Sequence, residues 1–145
     1  TLYYGDEAGV CGWTDPDNRR TYPWGFEDFE LIEYHRYLID LHKKLPALRR
    51  GSLKQLLADR QLIVYGRMSG ENKCAVLINN RGESRSVRVP VWELGITDED
   101  AITRMMLSDE KGYNAGRIDY RADHGWLTLD VPAHSGVLLS SGALV

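Results

Sequence analysis

The stretch QLIVYGRMSGENKCAVLINN, residues 61–80, decides the fold class of this chain. Two runs rich in β-branched and large apolar residues, Gln61–Met68 and Lys73–Asn79, flank the tetrapeptide SGEN. Val and Ile favour strands, whereas Gly, Ser and Asn favour turns. The stretch therefore predicts two short strands separated by a turn.

The same pattern continues on both sides of this stretch. Turn signals such as ADR, NNRGES, ADHG and PAHSG separate runs whose side chains alternate with a period of two. These runs predict six further strands: Leu53–Ala58, Arg85–Val89, Ile102–Leu107, Gly116–Tyr120, Trp126–Val131 and Gly136–Ser140. Several short strands with turn residues between them predict a mainly β fold, an antiparallel β-sandwich over residues 49–145.

Ahead of the strands, the pattern changes to that of a helix. Five large side chains recur at spacings of three and four and therefore share one face: Leu31, Tyr34, Leu38, Leu41 and Leu45. Pro46 predicts that the helix ends at about Leu45. Burying these side chains contributes about 8–15 kcal/mol. We therefore expect either the missing part of a larger protein or a second copy of the chain to cover the face.

The first 25 residues predict a strand followed by a long loop. Thr1–Tyr4 is a short β-prone run, and Gly5–Gly25 is rich in Gly, Pro, Asp and Asn. Nine of the fourteen aromatic residues lie within the first 37 positions, which argues against disorder. Ordered loops of this length are usually functional. Because the chain opens inside a predicted strand, we expect it to be a piece of a longer protein.

Within this loop, the segment WTDPDNRRTYPW carries the candidate binding residues. Asp15 and Pro16 favour a turn that presents Asp15 and Arg19 on the same side. A carboxylate and a guanidinium together can bind neighbouring hydroxyls of a sugar, and Trp13 offers a flat apolar face to a sugar ring. The alternative is that Asp15 and Arg19 pair only with each other and that the aromatic side chains form a core.

The net charge and the spacing of the acids and histidines limit which partners and which reactions the sequence predicts. The net charge of −3 favours neither nucleic acid nor a membrane as partner. Asp6 and Glu7 are adjacent, so in an extended segment they point to opposite faces and cannot act across one glycosidic bond. His35 and His42 share a helix face without a third metal ligand. We therefore predict no catalytic residue, no metal site and no cofactor.

The segment TLYYGDEAGVCGWTDPDNRRTYPW resembles the eighth-strand region of the α-amylase family, glycoside hydrolase family 13. LIEYHRYLIDLHKKLPALRRGS resembles the last barrel helix of that family, and LDVPAHSGVLLSS the closing strands of its C-terminal domain. Within that family, the sequence most resembles the neopullulanase, cyclomaltodextrinase and maltogenic amylase branches. The resemblance implies that residues 1–48 are the last β/α unit of a (β/α)8 barrel and that residues 49–145 are the C-terminal sandwich.

The resemblance also implies a function and its limits. Asp15 and Arg19 match the family residues that reach donor-side glucosyl subsites. The catalytic carboxylates of the family have no matching position here, so the chain alone is expected to be inactive and to contact α-glucans or maltooligosaccharides only within a complete enzyme. The alternative is a non-enzymatic carbohydrate-binding or interaction module with exposed aromatics on the sandwich: Trp92, Tyr113, Tyr120 and Trp126. The sequence does not determine the cellular compartment, although it slightly favours the cytoplasm.

Overall fold

Antiparallel β-sheet dominates the computed structural model, which describes residues 1–142. Nine strands follow in chain order: β1 Ser52–Ala58, β2 Leu62–Ser69, β3 Asn72–Asn79, β4 Arg85–Val89, β5 Ile102–Asp109, β6 Gly112–Asn114, β7 Ile118–Tyr120, β8 Leu127–Val131 and β9 Ser135–Ser141. A seven-stranded sheet has the order β1-β2-β3-β9-β5-β6, with β7 also paired to β5. Strands β4 and β8 form a separate two-stranded ribbon. The predicted mainly β, antiparallel fold is confirmed.

Strands β2 and β3 form the hairpin predicted from residues 61–80. They pair antiparallel from Leu62 opposite Asn79 to Ser69 opposite Asn72. The last strand, β9, lies between β3 and β5 and pairs with both. Strand β9, although late in the sequence, therefore occupies the middle of the sheet.

One hydrophobic core lies between the large sheet and the ribbon. In β8 the side chains of Leu127, Leu129 and Val131 are buried, whereas Thr128 and Asp130 are exposed, as expected for a strand with one face on a core. The large sheet contributes these residues to the same core: Leu62, Val64, Ala75, Leu77, Val137 and Leu139. Each such side chain contributes about 1.5–3 kcal/mol when fully buried, so this core is the main source of stability of the sandwich.

A short helix, α2 (Pro46–Arg50), lies on the other face of the large sheet. The amide of Ala47 donates to Asn72 Oδ1 at 3.0 Å. Asn72 and Leu77 are five residues apart in β3, so their side chains point to opposite faces. Because Leu77 belongs to the core, α2 and the ribbon lie on opposite sides of the sheet.

The chain divides into two compact units, an amino-terminal unit (Thr1–Leu41) and a sandwich unit (His42–Val145). The sequence predicted a domain boundary between residues 48 and 49. The predicted helix, α1, spans Phe29–Lys44. Asp28 caps its first turn, because Asp28 Oδ1 accepts a hydrogen bond from the amide of Leu31 at 3.0 Å. Pro46 follows the end of α1 and forms the first turn of α2, a position that proline favours.

The strand predicted at Thr1–Tyr4 is wrong. A strand needs a neighbouring strand to satisfy its backbone, and among residues 1–142 none pairs with this run. Instead the amide of Asp6 donates to the carbonyl of Tyr3 at 3.2 Å, and the segment turns into a short 3₁₀ helix, Asp6–Ala8. The last β/α unit of a barrel, expected for residues 1–48, stays a prediction.

Candidate functional site

The candidate binding residues lie on a structured turn of the amino-terminal unit. The amide of Asp17 donates to the carbonyl of Thr14 at 2.9 Å, and the amide of Arg19 donates to the carbonyl of Pro16 at 3.0 Å. Each bond joins residues three apart, the spacing of a β-turn. The turn predicted from Asp15 and Pro16 is therefore present.

Gly12 fixes this turn against the chain that precedes it. A Cβ atom at Gly12 would lie 2.7 Å from the Cα of Asn18 and 2.8 Å from the carbonyl oxygen of Asp17. Backbone can approach backbone this closely only where no side chain intervenes. Residues 12–18 therefore form a closely packed loop rather than an open one.

An ion pair between Asp17 and Arg20 braces the loop. Arg20 Nε and Nη2 donate to Asp17 Oδ1 at 2.9 and 2.8 Å, and the amide of Trp13 donates to Asp17 Oδ2 at 3.0 Å. The hydrogen bonds from Arg20 and from the Trp13 amide lower the pKa of the Asp17 carboxyl. Neither Asp17 nor Arg20 was predicted as a site residue. The signal that could have found them is an Asp and an Arg three residues apart within a turn.

Asp15 and Arg19 form a second pair, which lies on the surface. Arg19 Nε is 2.7 Å from Asp15 Oδ1, and the side chains are 71% (Arg19) and 59% (Asp15) exposed. A guanidinium has five N–H donors and a carboxylate has two acceptor oxygens. Because the guanidinium has more donors than one carboxylate can accept and both side chains are exposed, the pair keeps capacity for hydrogen bonds to a ligand.

The tryptophans of this loop are also on the surface. Trp13 is 82% exposed and Trp24 79% exposed. The ring of half-buried Tyr22 lies 4.6 Å from that of Trp24, tilted by 52°. The alternative expectation, that these aromatic side chains form a core, is wrong for Trp13 and Trp24. The structure thus brings Asp15 and Arg19 together and leaves Trp13 exposed on the same loop.

A cavity of about 610 Å³ lies elsewhere in the amino-terminal unit, between its first residues and helix α1. It is lined by Leu2, Tyr3, Tyr4, Glu7, Tyr22, Ile32, His35, Arg36 and Ile39. Trp13, Asp15 and Arg19 are not among these residues. The cavity and the candidate binding turn are therefore separate features.

Several of the other acids and histidines have local partners. Asp6 Oδ2 accepts the amide of Tyr3 at 3.2 Å, His124 pairs with Asp123, and His134 pairs with Glu110. Among residues 1–142, no group of three or more His, Cys, Asp or Glu side chains is arranged to hold a metal ion. In that same part of the chain, the helices are too short or too polar to cross a membrane.

The aromatic candidates on the sandwich differ in exposure. Trp92 is 56% exposed, and Tyr113 in β6 is also on the surface. Tyr120 and Trp126 are half-buried. The guanidinium carbon of Arg88 lies 4.4 Å from the centre of the Trp126 ring, so a cation already covers that aromatic face.

Comparisons with known proteins find relatives and structural neighbours of the chain. No protein-family model matches it. The amylopullulanase of Thermoanaerobacterium thermosulfurigenes is 31% identical over 154 residues, covering 97% of this chain and 8% of the relative. Neopullulanase 2 of Thermoactinomyces vulgaris is 39% identical over 98 residues, covering 65% of this chain and 17% of the relative. The chain is a homologue of α-amylase-family enzymes.

The fold of this α-amylase-family homologue agrees with solved structures. An Anoxybacillus α-amylase superposes with a TM-score of 0.79 over 99% of this chain and 29% of its own, at 23% identity. The chain spans less than a fifth of the two curated relatives. The resemblance predicted from the sequence motifs is confirmed.

Proposed function

We propose that this chain supplies two parts of an α-glucan-cleaving glycoside hydrolase: a loop that contacts the substrate and a β-sandwich that stabilises the enzyme. The catalytic carboxylates lie in the enzyme outside this chain, and the chain alone does not hydrolyse glucans. The names amylopullulanase and neopullulanase among the relatives support a substrate of the α-glucan class.

The observation that carries the proposal is the surface position of Asp15, Arg19 and Trp13 on one braced loop. Asp15 accepts and Arg19 donates hydrogen bonds, so the pair can contact adjacent hydroxyls of one glucosyl residue. Trp13, which is exposed on the same loop, offers an apolar ring face. The Asp17–Arg20 pair and the close approach at Gly12 hold the loop before substrate arrives, which lowers the entropy cost of binding.

The local chemistry of the remaining acids supports a non-catalytic role. Retaining glycoside hydrolysis needs two carboxyl groups that face one bond about 5 Å apart. Asp17 is held by Arg20, Asp59 by Arg85, and Asp98 by backbone amides. These carboxylates serve the local fold rather than a shared bond.

The test is an Arg19→Ala substitution in the complete enzyme that contains this chain. Losing charged hydrogen bonds to the substrate is expected to raise KM for maltoheptaose about fivefold to tenfold, with the melting temperature unchanged. Arg60→Ala, in the exposed turn between β1 and β2, is the matched control and should leave KM unchanged. Identical kinetics for the Arg19→Ala variant and the wild type would reject the binding role.

A further inference from the structure

Trp92 lies at one end of the ribbon formed by β4 and β8. It belongs to a short 3₁₀ helix, Val91–Leu94, whose residues Val91 and Leu94 are buried in the core. The Trp92 side chain instead lies on the surface, 56% exposed. The buried neighbours on both sides fix the position from which the indole projects.

The turn at His124 and Gly125 supports one side of this indole. A Cβ atom at Gly125 would lie 3.3 Å from both Cγ and Cδ1 of the Trp92 ring and 2.8 Å from its Cβ. Gly125 also has a φ of 78°, which favours glycine, and its carbonyl accepts the Trp92 amide at 3.0 Å. Asp98 holds the turn by accepting the amides of His124 and Gly125 at 2.9 and 2.7 Å. The indole is thus backed by glycine on one side and open to solvent on another.

Polar side chains also lie on the turn that supports this indole. Asp123 and His124 pair through Asp123 Oδ1 and His124 Nδ1 at 2.8 Å, and both side chains are almost fully exposed. Trp126 follows Gly125 directly, and Arg88 lies over its ring. The turn that backs the indole therefore carries an exposed carboxylate and an exposed imidazole, and the exposed guanidinium of Arg88 lies in strand β4, which pairs with β8.

We propose that this surface, the Trp92 platform (Trp92, Asp123, His124 and Arg88), is a second binding site for an α-glucan chain. A sugar ring stacks its apolar C–H face on an indole while its hydroxyls bond to polar groups at the edge, and the platform offers both. A protein partner would need roughly 800 Å² of surface on each side, far more than one indole provides. The choice of an α-glucan rather than another sugar rests on the proposed function.

The platform stays open when the other face of the sandwich is covered. Helix α2 contacts the large sheet through Ala47 and Asn72, on the side opposite the ribbon. The ribbon carries the platform, so a neighbouring domain that packs on the α2 side leaves Trp92 free to bind.

Native gel electrophoresis of the whole chain in gels with soluble starch tests the proposal. We expect starch to retard the wild type, Trp92→Ala to weaken the apparent affinity about tenfold or more, and Trp92→Phe to restore part of it because it keeps an aromatic face. Arg60→Ala, in the exposed turn between β1 and β2, is the control and should be retarded like the wild type. Circular dichroism and the melting temperature confirm that each variant is folded.

Three outcomes would overturn the platform. The first is a wild-type chain that starch does not retard. The second is a Trp92→Ala variant that is folded and retarded like the wild type. The third is equal retardation by hydroxyethyl cellulose, a β-linked glucan, which would reject the α-glucan assignment. The kinetic effect of Arg19→Ala in the complete enzyme is measured separately, so the two proposals can fail independently.

Discussion

Two aspartates, two residues apart, have different tasks in the candidate binding turn. Asp17 accepts hydrogen bonds from the Trp13 amide and from Nε and Nη2 of Arg20, whereas Asp15 pairs with Arg19 on the surface. A carboxylate that bonds to backbone shapes the loop, and one that pairs with an exposed side chain can exchange that partner for a ligand. The two aspartates carry the same charge, and the hydrogen bond from the Trp13 amide to Asp17 distinguishes their roles.

This difference predicts that Asp17→Asn loosens the loop and that Asp15→Asn does not. The Trp13 amide donates to Asp17 Oδ2 at 3.0 Å, so removing the charge weakens that bond. We expect Asp17→Asn to speed hydrogen exchange of the Trp13 amide about twofold to fivefold. Asp15→Asn, the matched control, should leave the rate unchanged. NMR-detected exchange on the chain measures both, and equal rates in all three proteins would contradict the brace.

Asp59 predicts the pH dependence of stability. Hydrogen bonds from Arg85 and from the amides of Gln61 and Leu62 hold the pKa of its carboxyl well below the usual range. Because the folded-state pKa is depressed, this stabilisation is complete above the unfolded pKa of about 3.9 and is lost as the pH falls below it. We expect the urea concentration at the unfolding midpoint to decrease as the pH is lowered from about 5 to about 2. Asp59→Asn should lower the midpoint at pH 7 and flatten this slope, and an unchanged slope would contradict the assignment.

At the scale of the element, the last residues of strand β3 alternate between the core and the surface. Leu77 is fully buried, and Ile78 next to it is exposed. Leu77→Ala should therefore lower the free energy of unfolding by about 2–5 kcal/mol, because it leaves a cavity. Ile78→Ala, the control in the same strand, should cost about 1 kcal/mol or less. Urea unfolding compares the two, and equal losses would mean that the register of β3 is wrong.

The elements that the sequence predicts are those whose signals are local. The hairpin at residues 61–80 has its apolar runs and its turn residues within one stretch, and β2 and β3 pair as expected. Strand β6, Gly112–Asn114, was missed because three residues show no period and exist as a strand only by pairing with β5. Thr1–Tyr4 failed for the opposite reason: its local propensity for a strand is real, but no partner strand in residues 1–142 pairs with it.

The candidate site, too, could be predicted only where its signals are local in the sequence. Trp13, Asp15 and Arg19 share one turn, so composition and spacing alone brought them together. The role of Gly12 was not predictable, because it depends on a backbone approach that only the folded loop creates. Likewise, Trp92 was a candidate by residue type, but its support by Gly125 required the structure.

At the scale of the whole molecule, the two units differ in how they treat apolar side chains. The sandwich unit encloses many of its large apolar residues in one core between two sheets, whereas others, such as Leu53, Ile63 and Ile78, lie on its surface. The amino-terminal unit leaves several on its surface: Leu2, Tyr3, Tyr4, Trp13, Trp24, Phe26 and Phe29. Contiguous exposed apolar surface marks an interaction site or a tendency to aggregate. This agrees with our proposal that the rest of a larger enzyme, or a second copy, covers part of this unit.

This contrast predicts that the chain self-associates when it is expressed alone. Trp24, Phe26 and Phe29 are exposed within six residues, and association removes their apolar surface from water. We expect sedimentation velocity to show a mass that rises with protein concentration, and a triple substitution of these residues by serine to remove the rise. Ile63→Ser with Ile78→Ser, at exposed positions of the sandwich unit, is the control and should associate like the wild type. A wild-type chain that stays monomeric at every concentration would show that this surface needs no cover, and the argument for a missing partner would then rest on the sequence relatives alone.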